Sequence, residues 1–434
     1  MAAEIQQLSD LIASSVSTLL RTCEDNKTPF PDPKQPFTPQ SEAFRASQAA
    51  NDATNLIAAS ALQLAARVLP PYVSMMSIAS GHFKSAALRT ALELNVTEIL
   101  REAGPQGMHV NNIAEICNVD GNKLGELLRI LAIDHCYKEL TPDVFTNTRL
   151  STIMDSGKCV SDILEKPEGK HEGTSGLAAF LELFAGDGAK SSSQLFENMK
   201  DPNTARSGEP NHTPFNRAFD VDLSMWLWYE TKDQAYRRRR LEVAMCGVAQ
   251  MQPPDVLDDV LNWKAIPKES IVVDVGGGIG TSSIALSKEN AHLKFVVQDL
   301  PTVCAEATTV RLENQLSKEY PEIFETGRLS FVPHDFFTPQ PMTNASVFIL
   351  KQIMHNWSDP YCARILRALR AAAMPTTKLV LADNIVAYAC HDPTVQSGLN
   401  SGHKEAPAPL LANYGAANGL PYLIDLGVHV LFLF

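Results

Sequence analysis

Several features are missing from this chain, and each absence narrows what it can be. No stretch reaches the roughly 18 consecutive apolar residues of a membrane-spanning helix, so no membrane partner is expected. The opening MAAEIQQLSD carries neither a basic n-region nor an apolar core, so no secretory signal is expected. Basic charge is scarce: 37 Lys and Arg face 49 Asp and Glu, a formal net charge of −12. Such a balance argues against a nucleic-acid partner. Close cysteine pairs are missing as well. The eight cysteines are scattered without a C-x-x-C pair, which speaks against a metal site or a disulfide framework and for reduced thiols in the cytoplasm.

What is present is ordinary for a globular protein: 45% hydrophobic and 20% charged residues over 434 positions, enough for two or three domains. Residues 4–22 show helical spacing of Leu8, Leu11, Ile12, Val16 and Leu19. A proline-rich connector (Pro29 to Pro39) leads to an alanine-rich helix expected from Glu42 to Val68. Its apolar face (Leu56, Ile57, Leu62, Leu64) needs cover from within the chain or from a second copy. Ser85–Leu100, Val110–Cys117 and Lys123–Asp134 read as three helices, and Tyr137–Thr146 as two short strands, a winged-helix order. Residues 81–154 hold seven Lys/Arg against nine Asp/Glu, a net of −2, so an oligomerisation element is a better reading than a DNA reader. The polar stretch 155–173 separates a helical domain (1–155) from a second one (174–434). The second opens with aromatics and methionines (Phe180, Phe184, Met225, Trp226, Trp228, Met245, Met251) that suit a core or a pocket for a flat apolar molecule. The run Arg237–Arg240 lies in a helical pattern and reads as a solvated helix face.

From Ile271 onward strands alternate with helices, at Ile271–Val275, Lys294–Val297, Leu329–Val332, Val347–Leu350 and Lys378–Leu381. The fold class is α/β: an open, largely parallel sheet with helices on both faces, whose ligand sits at the carboxyl ends of the strands. Polar residues cluster at those ends. The first strand breaks into Asp274-Val-Gly276-Gly277-Gly278-Ile-Gly280, where backbone can approach a ligand and a helix N-terminus follows at Thr281. The dinucleotide spacing fails, because Thr281 stands three residues after Gly278, and the Gly-Lys-Ser/Thr of a P-loop is absent. The second strand ends in Asp299, an acid about 20 residues past the glycines that suits ribose hydroxyls. The third runs to Asp335 and Phe336, an acceptor for a purine amine and a ring to cover its face. The fourth leads into Leu350-Lys351-Gln-Ile-Met-His355-Asn-Trp-Ser-Asp359, and the fifth ends at Asp383.

Together VVDVGGGIG, VQDLP, HDFF and ILKQIMHNWSDPYCARIL resemble the small-molecule O-methyltransferases that use S-adenosylmethionine (SAM). These are the plant caffeate and flavonoid enzymes and, more closely, fungal enzymes that methylate polyketide phenols. The resemblance spans roughly residues 80–385. It implies a Rossmann-like SAM-binding domain preceded by a winged-helix dimerisation domain, a homodimer, and methyl transfer to a hydroxyl of a phenolic or polyketide-like molecule. Carried over position by position, it implies Asp274, Gly276, Gly278, Asp299, Asp335, Phe336 and Lys351 for SAM, with His355 as general base. The chemistry agrees: a phenol of pKa ~10 is mostly protonated at neutral pH, and a histidine of ordinary pKa ~6.5 can take its proton. Asp383 is then the acid that orients the imidazole. No metal is expected.

The resemblance weakens at the C-terminus. In that family an Asp-Leu segment like that at Asp425 continues into a Lys-Glu-Arg-type motif, a helix and two strands. Here five strands are expected instead of seven, and Asp383 is the histidine's one orienting acid. A truncated or mis-spliced reading frame is the expected cause, with a degenerate or partner-completed enzyme as the alternative. For function, the alternative to methyl transfer is a catalytically impaired methyltransferase-like partner or regulatory subunit.

Overall fold

A computed structural model of the chain describes residues 2–250, 256–305, 307, 321–393 and 404–432. They form two compact units: residues 1–189, 235–247 and 385–424, and residues 190–234, 248–384 and 425–434. This partition does not follow the boundary expected at 155–173. The cause is packing: Val160 and Ala178 are buried in the same core as Leu128, Tyr137 and Phe145, so the chain past residue 173 still belongs to the first unit.

In the first unit, α1 (Ala2–Asp25) packs on α2 (Gln48–Val68). The helix expected from Glu42 is two pieces, because Ser47 is extended (φ −78, ψ 118) between a 3-10 turn (Pro39–Ala46) and α2. Most of the cover for α2 comes from within the chain. Ile57 packs on the cluster of Leu19, Cys23, Phe44, Ala50 and Ala53, and Leu56 and Leu64 on that of Leu8, Ala59 and Leu410, while Leu62 is 48% exposed. Next comes α3 (Pro71–Ala79), nine residues of which none is buried. The expected helix 85–100 is also split, into α4 (Gly81–Glu93) and α5 (Val96–Ala103), because Asn95 takes the left-handed conformation at φ 57. The winged-helix order then follows. Val110–Cys117 is α6, and Gly121–Ile133 is α7, capped by the Asp120 carboxylate, which accepts from the Lys123 N–H at 3.0 Å. A short β1 (Met108–His109) adds to β2 (Tyr137–Thr141) and β3 (Val144–Asn147) in the order β1-β3-β2.

One arginine in this unit departs from the expected solvated face. Arg240, on the helix Ala235–Gln250, is 6% exposed and donates to Glu182 (2.9 Å) and Asp187 (2.5 Å). Glu182 also bonds His171 Nε2 at 2.6 Å. Burial pushes the Glu182 carboxyl up, but the bond to His171 and the charge of Arg240 outweigh it and hold it at about 2. Arg239 does point outward, to Glu172. A run of four arginines cannot all face water on a helix with a period of 3.6 residues, and Arg240 is the one that turns in.

The second unit is built on five parallel strands: β4 (Ile271–Val275), β5 (Lys294–Asp299), β6 (Leu329–Pro333), β7 (Ala345–Lys351) and β8 (Lys378–Ala382). All five were expected, most of them a residue or two shorter. Their order is β6-β5-β4-β7-β8. The chain therefore grows outward from β4 in one direction through β5 and β6, and then returns to β4's other side for β7. That reversal leaves a crevice at the carboxyl ends of β4 and β7, where open α/β sheets bind their ligands. Val272, Phe295 and Ile349 fill one face of the sheet, and Val273, Val296 and Phe348 the other. Burial on both faces explains why the strands read as continuous apolar runs. At the outer edge β8 leaves Leu379 and Leu381 about half exposed.

Candidate active site

The glycine turn is shaped by contacts on three sides. Gly276, Gly278 and Gly280 all have positive φ (72, 58 and 82), a region that residues with a Cβ rarely enter. The N–H groups of Gly276 and Gly277 both donate to the Gln298 carbonyl, at 2.8 and 3.2 Å, so the end of β5 holds the turn. A Cβ on Gly276 would lie 2.6 Å from Ile353 Cδ1, and one on Gly277 2.6 Å from Asp274 Cγ. A Cβ on Gly278 would meet nothing within 4 Å. The first two glycines are needed for packing, and the third opens onto free space at the crevice.

The acids divide into two kinds. Asp299 is at the rim, with Oδ2 accepting from Gly278 N–H and Oδ1 from Leu300 N–H, both at 2.8 Å. A carboxylate has about four acceptor positions, so capacity remains for further donors. Burial raises its pKa, against the pull of those two N–H groups. Asp274 is instead internal: it is 2% exposed, lies under Gly277, and accepts from Ser283 Oγ at 2.7 Å. Burial pushes its carboxyl up to about 6, although the Ser283 bond and the Lys351 charge oppose the rise. Lys351, half-buried at the end of β7, is lowered by burial and partly restored by Asp274. Thus Asp274 acts from beneath the turn, whereas Asp299 faces the crevice.

Asp335 and Phe336 follow β6. Asp335 is exposed and its Oδ1 accepts from Phe337 N–H at 2.9 Å, which shapes its own loop. Phe336 is half-buried and close enough to Gly276 that a Cβ there would lie 3.6 Å from its ring. Its ring also meets Trp357 edge-on, with centroids 5.8 Å apart. The aromatic cover and the glycine turn are therefore adjacent.

On the other side of the crevice, His355 and Asp383 come together as expected. Imidazole Nδ1 lies 2.7 Å from Asp383 Oδ1. The two residues are 28 positions apart in sequence and meet because β7 and β8 pair in parallel, with Lys351 opposite Ala382. Gln352, at φ 58, adds one more ladder bond to the Ala382 carbonyl (2.9 Å) and so turns the chain toward His355. A carboxylate only accepts, so Nδ1 carries a proton, and in the neutral imidazole the lone pair is then on Nε2. The other Asp383 oxygen is buried and has no hydrogen-bond partner among the described residues. Sequence reasoning missed Ser283, Gln340 and the contact of Trp357 with Phe336. A serine one turn into the helix after a strand-end acid was the available signal for the first. Of the aromatic and methionine set, Met251 lies outside the described residues.

The site tests well against SAM: a rim carboxylate with spare acceptors, a glycine whose missing Cβ opens onto the crevice, and a neighbouring aromatic ring. Fold and site together define an enzyme of the Rossmann-like, methyl-transferring class with a separate helical unit. Comparison with known proteins narrows this further. Residues 196–401 match the O-methyltransferase domain, and residues 76–155 the O-methyltransferase dimerisation domain. The chain is 41% identical over its whole length to 4-O-methyltransferase 1 of Phanerochaete chrysosporium, covering 91% of that protein. It is 26% identical to sterigmatocystin 8-O-methyltransferase of Aspergillus parasiticus, over 73% of this chain and 66% of that one. The mitomycin 7-O-methyltransferase MmcR shares the fold, with a TM-score of 0.60 at 23% identity, over 83% of this chain and 86% of that one. The chain belongs to the O-methyltransferase family, and SAM is its methyl donor.

Proposed function

We propose that this enzyme methylates a hydroxyl of a phenolic or polyketide-like small molecule, with His355 as general base and Asp383 as its orienting acid. The carrying observation is the 2.7 Å bond between His355 Nδ1 and Asp383, which selects the tautomer of the neutral imidazole whose lone pair is on Nε2. When bound, SAM supplies an electrophilic sulfonium methyl and departs as the neutral thioether. The phenol oxygen must lose its proton as it attacks, and Nε2 accepts it, for about 10²–10⁴ in rate. Asp383 then stabilises the imidazolium. Gly276, Gly278, Asp299, Asp335, Phe336 and Lys351 hold SAM in this reading, and Asp274 supports the turn from below. The names of the relatives, a 4-O-methyltransferase and a sterigmatocystin 8-O-methyltransferase, support a small-molecule oxygen acceptor.

His355→Ala should nearly abolish turnover of a phenol panel while calorimetry still detects SAM binding. Retained turnover would sink the assignment. We propose further that the enzyme is a cytoplasmic homodimer. In support of the homodimer, residues 76–155 match a dimerisation domain, and α3, which runs into the start of that segment, has no buried residue.

A further inference from the structure

We propose that Gln298 and Gln340 are positioning residues for SAM: their paired amides fix the purine-covering loop against the glycine turn. The proposal rests on the assignment of that turn to SAM. Gln298 is 1% exposed and Gln340 6%. Each side-chain N–H donates to the other's carbonyl oxygen at 2.8 Å, and Gln340 Oε1 also accepts from Met342 N–H at 3.0 Å. A buried amide without partners is costly, and this pair satisfies both groups at once.

The position of the pair gives it more than a packing role. Gln298 is the residue whose carbonyl accepts from Gly276 and Gly277, and the next residue, Asp299, holds Gly278 through its carboxylate. The glycine turn thus hangs from the last two residues of β5. Gln340 ends the loop that carries Asp335 and Phe336. Within that loop, Phe337 N–H bonds Asp335 Oδ1, and both Thr338 N–H and Thr338 Oγ bond the Asp335 carbonyl, so these bonds are internal. The loop's backbone is tied to β5 at its start, by His334 N–H to the Asp299 carbonyl at 2.9 Å. The amide pair supplies the tie at its far end. Together with the His334–Asp299 bond, the side-chain pair therefore holds the residues read for the purine against those read for the ribose.

The test uses the full chain with SAM and S-adenosylhomocysteine as probes, in wild type, Gln298→Leu, Gln340→Leu and the double variant. Each single change leaves a buried amide unpaired and should lower Tm. The double change replaces the amide pair with an apolar pair and should recover most of that Tm. Affinity should behave differently. Without the amide pair the purine-covering loop is no longer held at its far end, and Kd for both probes should rise about tenfold or more. That rise should persist in the double variant, with kcat at saturating SAM within about twofold of wild type. A purely structural pair would regain affinity together with stability. SAM affinity within twofold of wild type in the double variant overturns the proposal. A wild-type chain that binds neither probe overturns the SAM assignment itself.

Discussion

Asp383→Asn isolates what the acid does for the histidine. An amide can still occupy the space beside Nδ1, but it no longer compels Nδ1 to carry the proton or offsets the imidazolium charge. By analogy with other histidine–carboxylate pairs, kcat should fall by about 10²–10⁴ with SAM affinity unchanged. The deficit should shrink as pH climbs toward the phenol's own pKa of ~10, because the substrate then ionises without help. A deficit that is flat with pH would point to a role other than proton transfer. Asp274 makes a separate prediction, in stability. Its folded carboxyl titrates at about 6 against an ordinary 3.8, so this buried group costs stability as pH rises through that window. Asp274→Asn should leave stability near pH 4 unchanged and raise it at pH 7.5 by up to about 3 kcal/mol, less whatever Lys351 loses with its counter-charge. Denaturant melts at the two pH values read this directly. An equal effect at both would mean that Asp274 is not neutralised by burial.

Among the elements, the helix Ala235–Gln250 shows how burial can hide behind a charge run. Arg240 spans Glu182, at the end of the helix Leu177–Leu183, and Asp187, in the π-turn Phe184–Gly188 that continues it. Replacing Arg240 with Met should cost up to about 3–5 kcal/mol, because two buried carboxylates lose the guanidinium between them, less what Arg237 still supplies to Asp187 and His171 to Glu182. Arg239→Met, on the outward-facing neighbour, should change stability by less than about 1 kcal/mol. Comparable losses in urea melts would return Arg240 to the solvated face. Sequence pattern could not separate these two arginines, because the acids that recruit Arg240 lie more than 50 positions away. The same limit explains Gln340, whose partner is 42 residues distant and whose neighbours read as loop. The glycine turn, Asp299, His355 and Asp383 were legible for the opposite reason. Parallel strands place their C-terminal residues along one rim, so an acid or histidine just past each apolar run falls at the site whatever the packing details. Helix ends were less legible where a single left-handed residue, as at Asn95, interrupts a good apolar period.

For the whole molecule, the outstanding question is what covers α3. Its sequence, PYVSMMSIA, has no charged residue, and Tyr72, Met75, Met76 and Ile78 are each 62% exposed or more, with Phe83 at 59% just beyond. A short helix that is apolar on every side is normally buried, and a nine-residue helix has little stability of its own. Residues 76–155 match the dimerisation domain, so Met76, Ile78 and Phe83 already lie inside the segment that meets a second copy in relatives. A membrane surface is the competing cover, since α2 and α3 together are long and apolar enough to enter one as a bent pair, although no single described helix is. Interfacial helices, however, carry a strongly polar or basic face, and α3 has none. The expected outcome is a dimer in sedimentation equilibrium for wild type. Met76→Glu combined with Ile78→Glu should weaken it by about 10²-fold or more, since burying each new carboxylate at an apolar interface costs several kcal/mol. The monomer so produced should keep the SAM affinity of the wild type if the rim of β4, β5 and β7 suffices for binding. A variant that stays dimeric would move the interface away from α3 while leaving the homodimer intact. A wild type that is monomeric and floats with neutral liposomes would instead assign α3 to a membrane.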